Sequence, residues 1–107
     1  MKFSKLLVTC LIVTASMTAA ARTSQKDCQD YGAIVGSMQD IRNKGGSFEL
    51  AFKDLRELIT SSDALNRNYG KTLTEIAQVI WSRPPGHVSE QMATEVGTMF
   101  CENRYRQ

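Results

Sequence analysis

Cysteine is the residue type here with the clearest chemistry, because its sulfur can form a disulfide or bind a metal ion. Cys28 and Cys101 lie 73 positions apart, near the two ends of the region after residue 21. A metal site would need further ligands nearby, yet His87 is the only histidine and neither cysteine has another close to it. We therefore predict a disulfide, no metal site and no cofactor. Closing so long a loop would contribute about 4 kcal/mol of stability on the chain-entropy model.

Catalysis needs a nucleophile beside a base, and the sequence offers only weak pairs. His87 and Ser89 share one loop, but Ser89 is better placed to cap the helix that follows, and no Gly-x-Ser-x-Gly motif exists. Asp54 and Glu57 are spaced as on a solvated helix face rather than in a cleft. We expect the protein not to be an enzyme. For His87 two interpretations stay open, a pH-responsive group and an exposed loop side chain.

An aromatic residue beside an arginine is the composition of many binding hot spots. Trp81 and Arg83 stand just before the break at Pro84-Pro85. Together with Tyr69 and His87, they are the candidate partner-binding residues. For Trp81, the alternative is packing under the proline turn.

The N-terminus has the three parts of a secretory signal peptide. Lys2 and Lys5 give it a positive start, residues 6–17 form a short apolar stretch, and residues 19–21 are alanines suited to cleavage. The apolar stretch is shorter than the ~20 residues that a membrane-spanning helix needs. We predict that residues 1–21 are removed, with no stable membrane insertion afterwards, and that the protein is periplasmic or secreted.

Charge excludes one class of partner for the remaining residues, 22–107, which we expect to form a single helical domain. The whole chain has 13 lysines and arginines and 11 aspartates and glutamates, so loss of Lys2 and Lys5 leaves eleven of each. A nucleic-acid binder needs a clustered excess of basic residues. No such cluster is present beyond the short tail Arg104-Tyr105-Arg106, so we predict no nucleic-acid binding.

Four segments carry apolar residues at helical spacing. The first begins near Asp27, with Ser24 or Asp27 as its cap, and ends at Gly45-Gly46. Ser47 and Ser89 are the predicted caps of the second and the last helix. The positions expected to face the core are Tyr31, Ile34, Val35, Met38 and Ile41 in the first helix, Phe48, Ala51, Phe52, Leu55, Leu58 and Ile59 in the second, and Met92, Val96, Met99 and Phe100 in the last.

The third segment gives two conflicting signals. Its apolar residues have the spacing of one continuous helix; they are Leu65, Tyr69, Leu73, Ile76 and Ile80. However, Asn68 and Gly70 weaken that helix, and Thr72 with Glu75 has the pattern of a capping box. We predict a strong helix over residues 72–82, preceded by a looser turn or extension.

The disulfide sets the expected arrangement of these helices. Cys28 opens the first helix and Cys101 lies near the end of the last, and a bridge needs Cα atoms within about 7 Å. The first and last helices should therefore lie side by side and antiparallel. The short connections at Gly45-Gly46 and at residues 84–88 favour neighbouring antiparallel helices. The predicted fold is all-α, a small four-helix array closed by one disulfide between the first and last helices.

One run of residues resembles a loose group of small exported proteobacterial proteins of unknown function. The run is Cys28-x-x-Tyr31-x-x-Ile34-Val35-x-x-Met38-x-x-x-Arg42-x-x-Gly45. As in that group, an aromatic residue at the end of an apolar helix, here Ile80-Trp81, precedes a proline break and a closing cysteine, Cys101. The likeness covers roughly residues 28–101. It implies a periplasmic or secreted bacterial origin and brings no activity with it.

Two functional hypotheses follow. The first is a non-enzymatic interaction or accessory module of the bacterial envelope (a binder, an inhibitor or an immunity-like protein) whose partner is another protein. The second is a stress-conditional periplasmic chaperone, because small acid-stress chaperones are also helical with one disulfide. Loss of carboxylate charge in acid would loosen such a domain and expose apolar surface.

Overall fold

The computed structural model describes residues 23–106 of the chain, and this range folds into four α-helices. They are α1 (Gln25–Asn43), α2 (Phe48–Ile59), α3 (Ala64–Trp81) and α4 (Glu90–Tyr105). No strand occurs within the described range, and the predicted all-α four-helix array is confirmed. The predicted leader, residues 1–21, lies outside that range.

Serine caps begin three of the helices, as the sequence predicts. The Ser24 hydroxyl accepts a 3.0 Å hydrogen bond from the N–H of Asp27, whose carboxylate accepts one from the N–H of Ser24. Ser47 and Ser89 each accept from the backbone N–H three residues further on, at 3.2 and 3.1 Å. These bonds satisfy N–H groups that have no partner inside the helix, and so they fix where α1, α2 and α4 start.

The α1 and α4 helices form the tightest antiparallel pair. The disulfide between Cys28 and Cys101 joins them with a Cα–Cα distance of 5.3 Å, which confirms the predicted bridge. Beyond it, Gly97 lies so close to α1 that a Cβ atom there would be 2.7 Å from the Cβ of Val35 and 3.2 Å from the Cα of Gly32. Only glycine permits this approach.

The face of α4 that packs on α1 consists of small residues. They are Ala93, Gly97 and Cys101, and all three are buried. The prediction that Met92, Val96 and Met99 face the core is wrong, since 56, 58 and 60% of these side chains are exposed. Phe100, the fourth predicted residue, is half-buried and stacks on Tyr31, with the ring centroids 5.9 Å apart.

The α3 helix is continuous, so the predicted start at Thr72 is also wrong. Thr72 lies in the helix interior, where its hydroxyl donates to the backbone carbonyls of Asn68 and Tyr69 at 3.3 and 3.2 Å. Gly70 weakens the helix by propensity but is needed here, because a Cβ atom would lie 2.8 Å from the backbone nitrogen of Ile59 in α2. Tertiary packing therefore outweighs the local signals that divided this segment.

The α1 helix lies at the centre of the array and contacts the other three helices. The α2 helix packs antiparallel to α3, with Gly70 beside Ile59 at one end and Trp81 against Phe48 at the other. The buried apolar residues form a single cluster: Cys28, Tyr31, Val35, Met38, Ala51, Leu55, Tyr69, Leu73, Ala77, Ile80, Ala93 and Cys101.

Candidate functional site: an apolar groove between α3 and α4

A groove of about 310 Å³ runs between α3 and α4, and we call it the α3–α4 groove. Its α3 wall is formed by Ile76, Val79 and Ile80, its α4 wall by Met92, Ala93, Val96, Gly97 and Phe100, its loop end by Arg83 and Val88, and its floor by Val35 and Gln39 of α1. The volume falls at the lower end of the range of ligand-binding pockets, about 300–1,000 Å³.

Large apolar side chains are exposed along both walls. On α3, Val79 is 52% exposed, and on α4 the exposed Met92 and Val96 line the groove, with Met99 one turn beyond Val96 and also exposed. Within residues 23–106 the other exposed large apolar residue is Leu50, which lies on α2. Contiguous apolar surface of this kind marks binding sites, whereas single exposed residues are ordinary.

The groove exists because the backbones of α3 and α4 stay apart. No Cα atom of α3 comes within 8 Å of a Cα atom of α4, and α1 lies beneath both. The two helices are antiparallel, as the short connection at residues 84–88 predicts, and they meet through the side chain of Tyr105 at the far end. The space that a neighbouring helix would fill is open.

At one end of the groove, polar side chains of α1 fix the α3–α4 loop. Arg42 donates two hydrogen bonds to the carbonyl of Arg83, at 2.8 and 3.1 Å. Asn43 donates to the carbonyl of Val88 at 2.9 Å and accepts from the N–H of Gly86 at 2.7 Å. These bonds hold the end of α3 and the start of α4 at a fixed separation.

At the other end, hydroxyl groups join the same helices. Tyr105 of α4 donates to the Asn68 side chain of α3 at 2.6 Å, and its hydroxyl oxygen lies 3.0 Å from the hydroxyl oxygen of Thr72. Thr72 is also within 2.8 Å of the Tyr31 hydroxyl on α1. Hydrogen bonds at both ends therefore hold the two walls apart over Val35 and Gln39 of α1.

The tyrosines at that end are buried or half-buried hydrogen-bonding groups. Burial raises the pKa of Tyr69 to about 12, an effect that its hydrogen bond with Thr23 partly offsets. Burial likewise raises the pKa of Tyr31 and of Tyr105. All three phenols therefore stay protonated at neutral pH and serve as hydrogen-bonding groups.

The structure does not bring the four predicted partner-binding residues together. Tyr69 is fully buried and lies 12 residues before Trp81 on α3, about 18 Å along the helix axis. Trp81 is half-buried, donates to the carbonyl of Gly46 at 3.1 Å and packs edge-on against Phe48. Neither aromatic residue lines the α3–α4 groove, and Trp81 packs against the α1–α2 connection.

Arg83 and His87 lie nearer the groove. Arg83 is exposed and lines its loop end. His87 is an exposed residue of the α3–α4 loop, with its backbone N–H bonded to the carbonyl of Pro84 at 3.3 Å. Of the four candidates, Arg83 alone lines the groove.

Sequence reasoning missed the groove residues of α4, although a signal for them was present. If Cys101 must face α1 to form the disulfide, the residues four and eight positions earlier, Gly97 and Ala93, face α1 as well. Met92 and Val96 then point away from that interface. The disulfide thus specified the inner face of α4 more reliably than hydrophobicity did.

Two other cavities of the described range are not lined by exposed large apolar side chains. A cleft of about 220 Å³ between α1 and α2 is lined by residues that include Ile34 and Leu58, and a third cavity of about 330 Å³ is lined by residues that include Asp54 and Glu57. No group of three or more potential metal-ligating side chains occurs in residues 23–106. Within the same residues, no helix combines the length and the hydropathy that crossing a bilayer requires.

Comparisons of the chain with protein-family models, curated proteins and solved structures gave no match.

Proposed function

We propose that this protein is an exported, non-enzymatic interaction module of the bacterial envelope that binds another protein through the α3–α4 groove. One observation carries the proposal: Val79, Met92 and Val96 are more than half exposed along a groove whose two ends are fixed by hydrogen bonds. Exposed apolar surface of this extent costs solubility unless a partner covers it. Methionine suits such a surface because its flexible thioether adapts to the shape of what binds.

The export part of the proposal rests on the sequence of residues 1–21 and on the disulfide, since a bridge of this kind persists in an oxidising compartment. Intact mass measurement of the protein isolated from its source tests it. We expect a mass that lacks residues 1–21 and two hydrogens. An intact leader or two free thiols would contradict export.

The binding part is tested with variants that remove the apolar surface and leave the fold intact. Met92→Gln/Val96→Asn replaces two exposed groove residues with polar ones of similar size and similar helix propensity. Leu50→Gln is the matched control, because Leu50 is 54% exposed but lies on α2. The full chain, expressed with its own N-terminus and oxidised, is crosslinked in envelope extract, and captured proteins are identified and purified.

We expect the purified partner to bind the wild type and Leu50→Gln with equal affinity and stoichiometry in calorimetry. Binding to Met92→Gln/Val96→Asn should fall at least roughly tenfold, since each buried apolar side chain contributes about 1.5–3 kcal/mol. A partner that binds both variants equally would show that another surface is used.

A chaperone that holds unfolded clients is the second candidate, and the exposed methionines favour it, because Met-rich surfaces accommodate many sequences. Aggregation of a client protein is measured at neutral and acidic pH with the same variants. A chaperone suppresses aggregation of several unrelated clients, with greater effect in acid. An interaction module binds one folded partner and leaves client aggregation unchanged.

A further inference from the structure

The walls of the α3–α4 groove carry carboxylates beside their apolar residues. Glu75 immediately precedes Ile76 on α3, and Glu95 immediately precedes Val96 on α4; both glutamates are exposed. Neither belongs to an ion pair within residues 23–106, where the pairs are Lys26–Asp30, Lys44–Asp40 and Arg106–Glu102. Glu75 and Glu95 are not lining residues themselves, but each helix presents an exposed carboxylate next in sequence to a residue that lines the groove.

The positive charges nearby are placed differently. Arg83 lines the groove at its loop end, where its backbone carbonyl is held by Arg42. Lys71 lies one turn before Glu75 on α3, is exposed and takes no part in those ion pairs. The lining of the groove is thus apolar except for Gln39 and Arg83. Glu75 and Glu95 lie beside it on the two helices, and Arg104 lies near Tyr105, at the end away from the loop.

The dimensions of the groove suit a helix. Its lining residues on α4 run from Met92 to Phe100, which corresponds to about 12 Å or a little over two helical turns, and Val88 extends the lining into the α3–α4 loop. On α4 the exposed residues Met92, Val96 and Met99 are spaced four and three apart, the spacing at which one helix packs along another. An amphipathic helix laid in a groove of this kind is a recurring mode of peptide recognition.

A second copy of the chain does not match this surface. If the Met92–Val96–Met99 stripe paired with itself, the two-fold axis would pass beside Val96, because a symmetric interface uses the same patch on both subunits. Glu95 would then face Glu95 of the second copy on the same flank. Like charges in that position oppose association, whereas cationic side chains on a different partner would be attracted to Glu75 and Glu95.

We propose, on the basis of the function proposed above, that the α3–α4 groove binds a cationic amphipathic helix presented by a partner protein. The apolar stripe of that helix covers Val79, Met92 and Val96. Lysine or arginine side chains on its two flanks lie opposite Glu75 and Glu95.

Two designed peptides of about 20 residues, long enough to be helical, test the proposal. Both have leucine at heptad positions a and d; one has lysine at e and g, and the other has glutamate. Binding to the full, oxidised chain is measured by fluorescence anisotropy at low and high salt. We expect the lysine peptide to bind at least roughly tenfold more tightly than the glutamate peptide, with a difference that shrinks as salt screens the charges.

Glu75→Gln and Glu95→Gln should each weaken binding of the lysine peptide by roughly two- to fivefold, the usual contribution of an exposed ion pair. Glu57→Gln on α2 is the matched control, because it removes an exposed carboxylate away from the groove and should change nothing. Met92→Gln/Val96→Asn should weaken both peptides alike.

Equal affinity for the two peptides would overturn the charge assignment while leaving a protein-binding groove in place. If neither peptide binds and sedimentation shows a dimer that Met92→Gln/Val96→Asn dissociates, the occupant is a second copy and the proposal is wrong. If neither peptide binds and the chain is monomeric, the proposal is wrong as well. The proposed function is tested separately, by measuring how the natural partner binds the groove variants.

Discussion

The two faces of α4 differ in the size of their side chains and in what covers them. Towards α1, Ala93, Gly97 and Cys101 are buried at a close helix crossing that the disulfide reinforces. Towards the groove, Met92 and Val96 are larger and more hydrophobic, yet more than half exposed. Burial on this helix therefore follows from how closely two backbones can approach, and the larger apolar residues of α4 remain exposed.

The difference also separates stability from function. The α1–α4 crossing is connected to the buried tyrosines and holds the domain together. The groove is an opening that those contacts keep from closing. Substitutions at the crossing should therefore change the free energy of unfolding, and substitutions at the groove should change binding alone.

Removal of the disulfide is expected to have the largest effect on stability. Cys28→Ser/Cys101→Ser should lower the free energy of unfolding by about 4 kcal/mol, because a constraint across 73 residues of the unfolded chain is lost. Urea titration of this variant and of the wild type measures the loss, and the wild type with and without reductant is the control. An unchanged urea midpoint would show that the helix crossing is sufficient without the covalent link.

High pH is expected to have the next largest effect on the free energy of unfolding, because it ionises the buried phenols. Their pKa values are raised in the folded state, for Tyr69 to about 12, against about 10 in the unfolded chain. The stability that depends on neutral phenols is therefore complete below pH ~10 and is lost as the pH rises through the folded values. Urea titrations at increasing pH, with tyrosinate absorbance, measure this loss.

Tyr69→Phe is the control for the alkaline prediction. It removes one of the three phenols and should make the alkaline decline in stability less steep, even though loss of the hydrogen bond with Thr23 lowers stability at neutral pH. An identical decline in both proteins, or phenols that titrate near pH ~10 before the chain unfolds, would contradict a role for burial.

A third substitution tests the close approach itself. Gly97→Val should cost about 1–3 kcal/mol, because its Cβ would lie 2.7 Å from the Cβ of Val35 and the helices must move apart. Val96→Leu adds bulk at the next residue, on the exposed face, and should change the free energy of unfolding by less than about 0.5 kcal/mol. Equal effects of the two variants would mean that the faces are not distinguished by packing.

Much of the fold was predictable because it depends on local or covalent signals. Ser47 and Ser89 predict where two of the helices start, and the pair of cysteines predicts that the first and last helices are neighbours. The path of α3 was harder, because Gly70 is unfavourable in a helix until α2 packs against it. Such a contact joins distant residues, and sequence periodicity does not report it.

The candidate site was not predicted, for a related reason. Hydrophobic periodicity identifies Met92 and Val96 as one face of a helix, but it does not tell whether that face meets the core or a partner. The aromatic residues that suggested binding, Tyr69 and Trp81, proved to be packed within the domain. The exposed face becomes evident only once the small residues of α4 have been placed against α1.

Substitutions in the groove are expected to have the smallest effect on the free energy of unfolding and the largest effect on partner binding. Met92→Gln/Val96→Asn should change the free energy of unfolding by no more than about 0.5 kcal/mol, because both side chains are already mostly in water in the folded state. Urea titration beside Gly97→Val, together with helical circular dichroism, makes the comparison. A loss of more than about 1 kcal/mol would indicate that the two side chains support the domain. In that case, weaker partner binding by this variant would no longer identify the groove as the binding site.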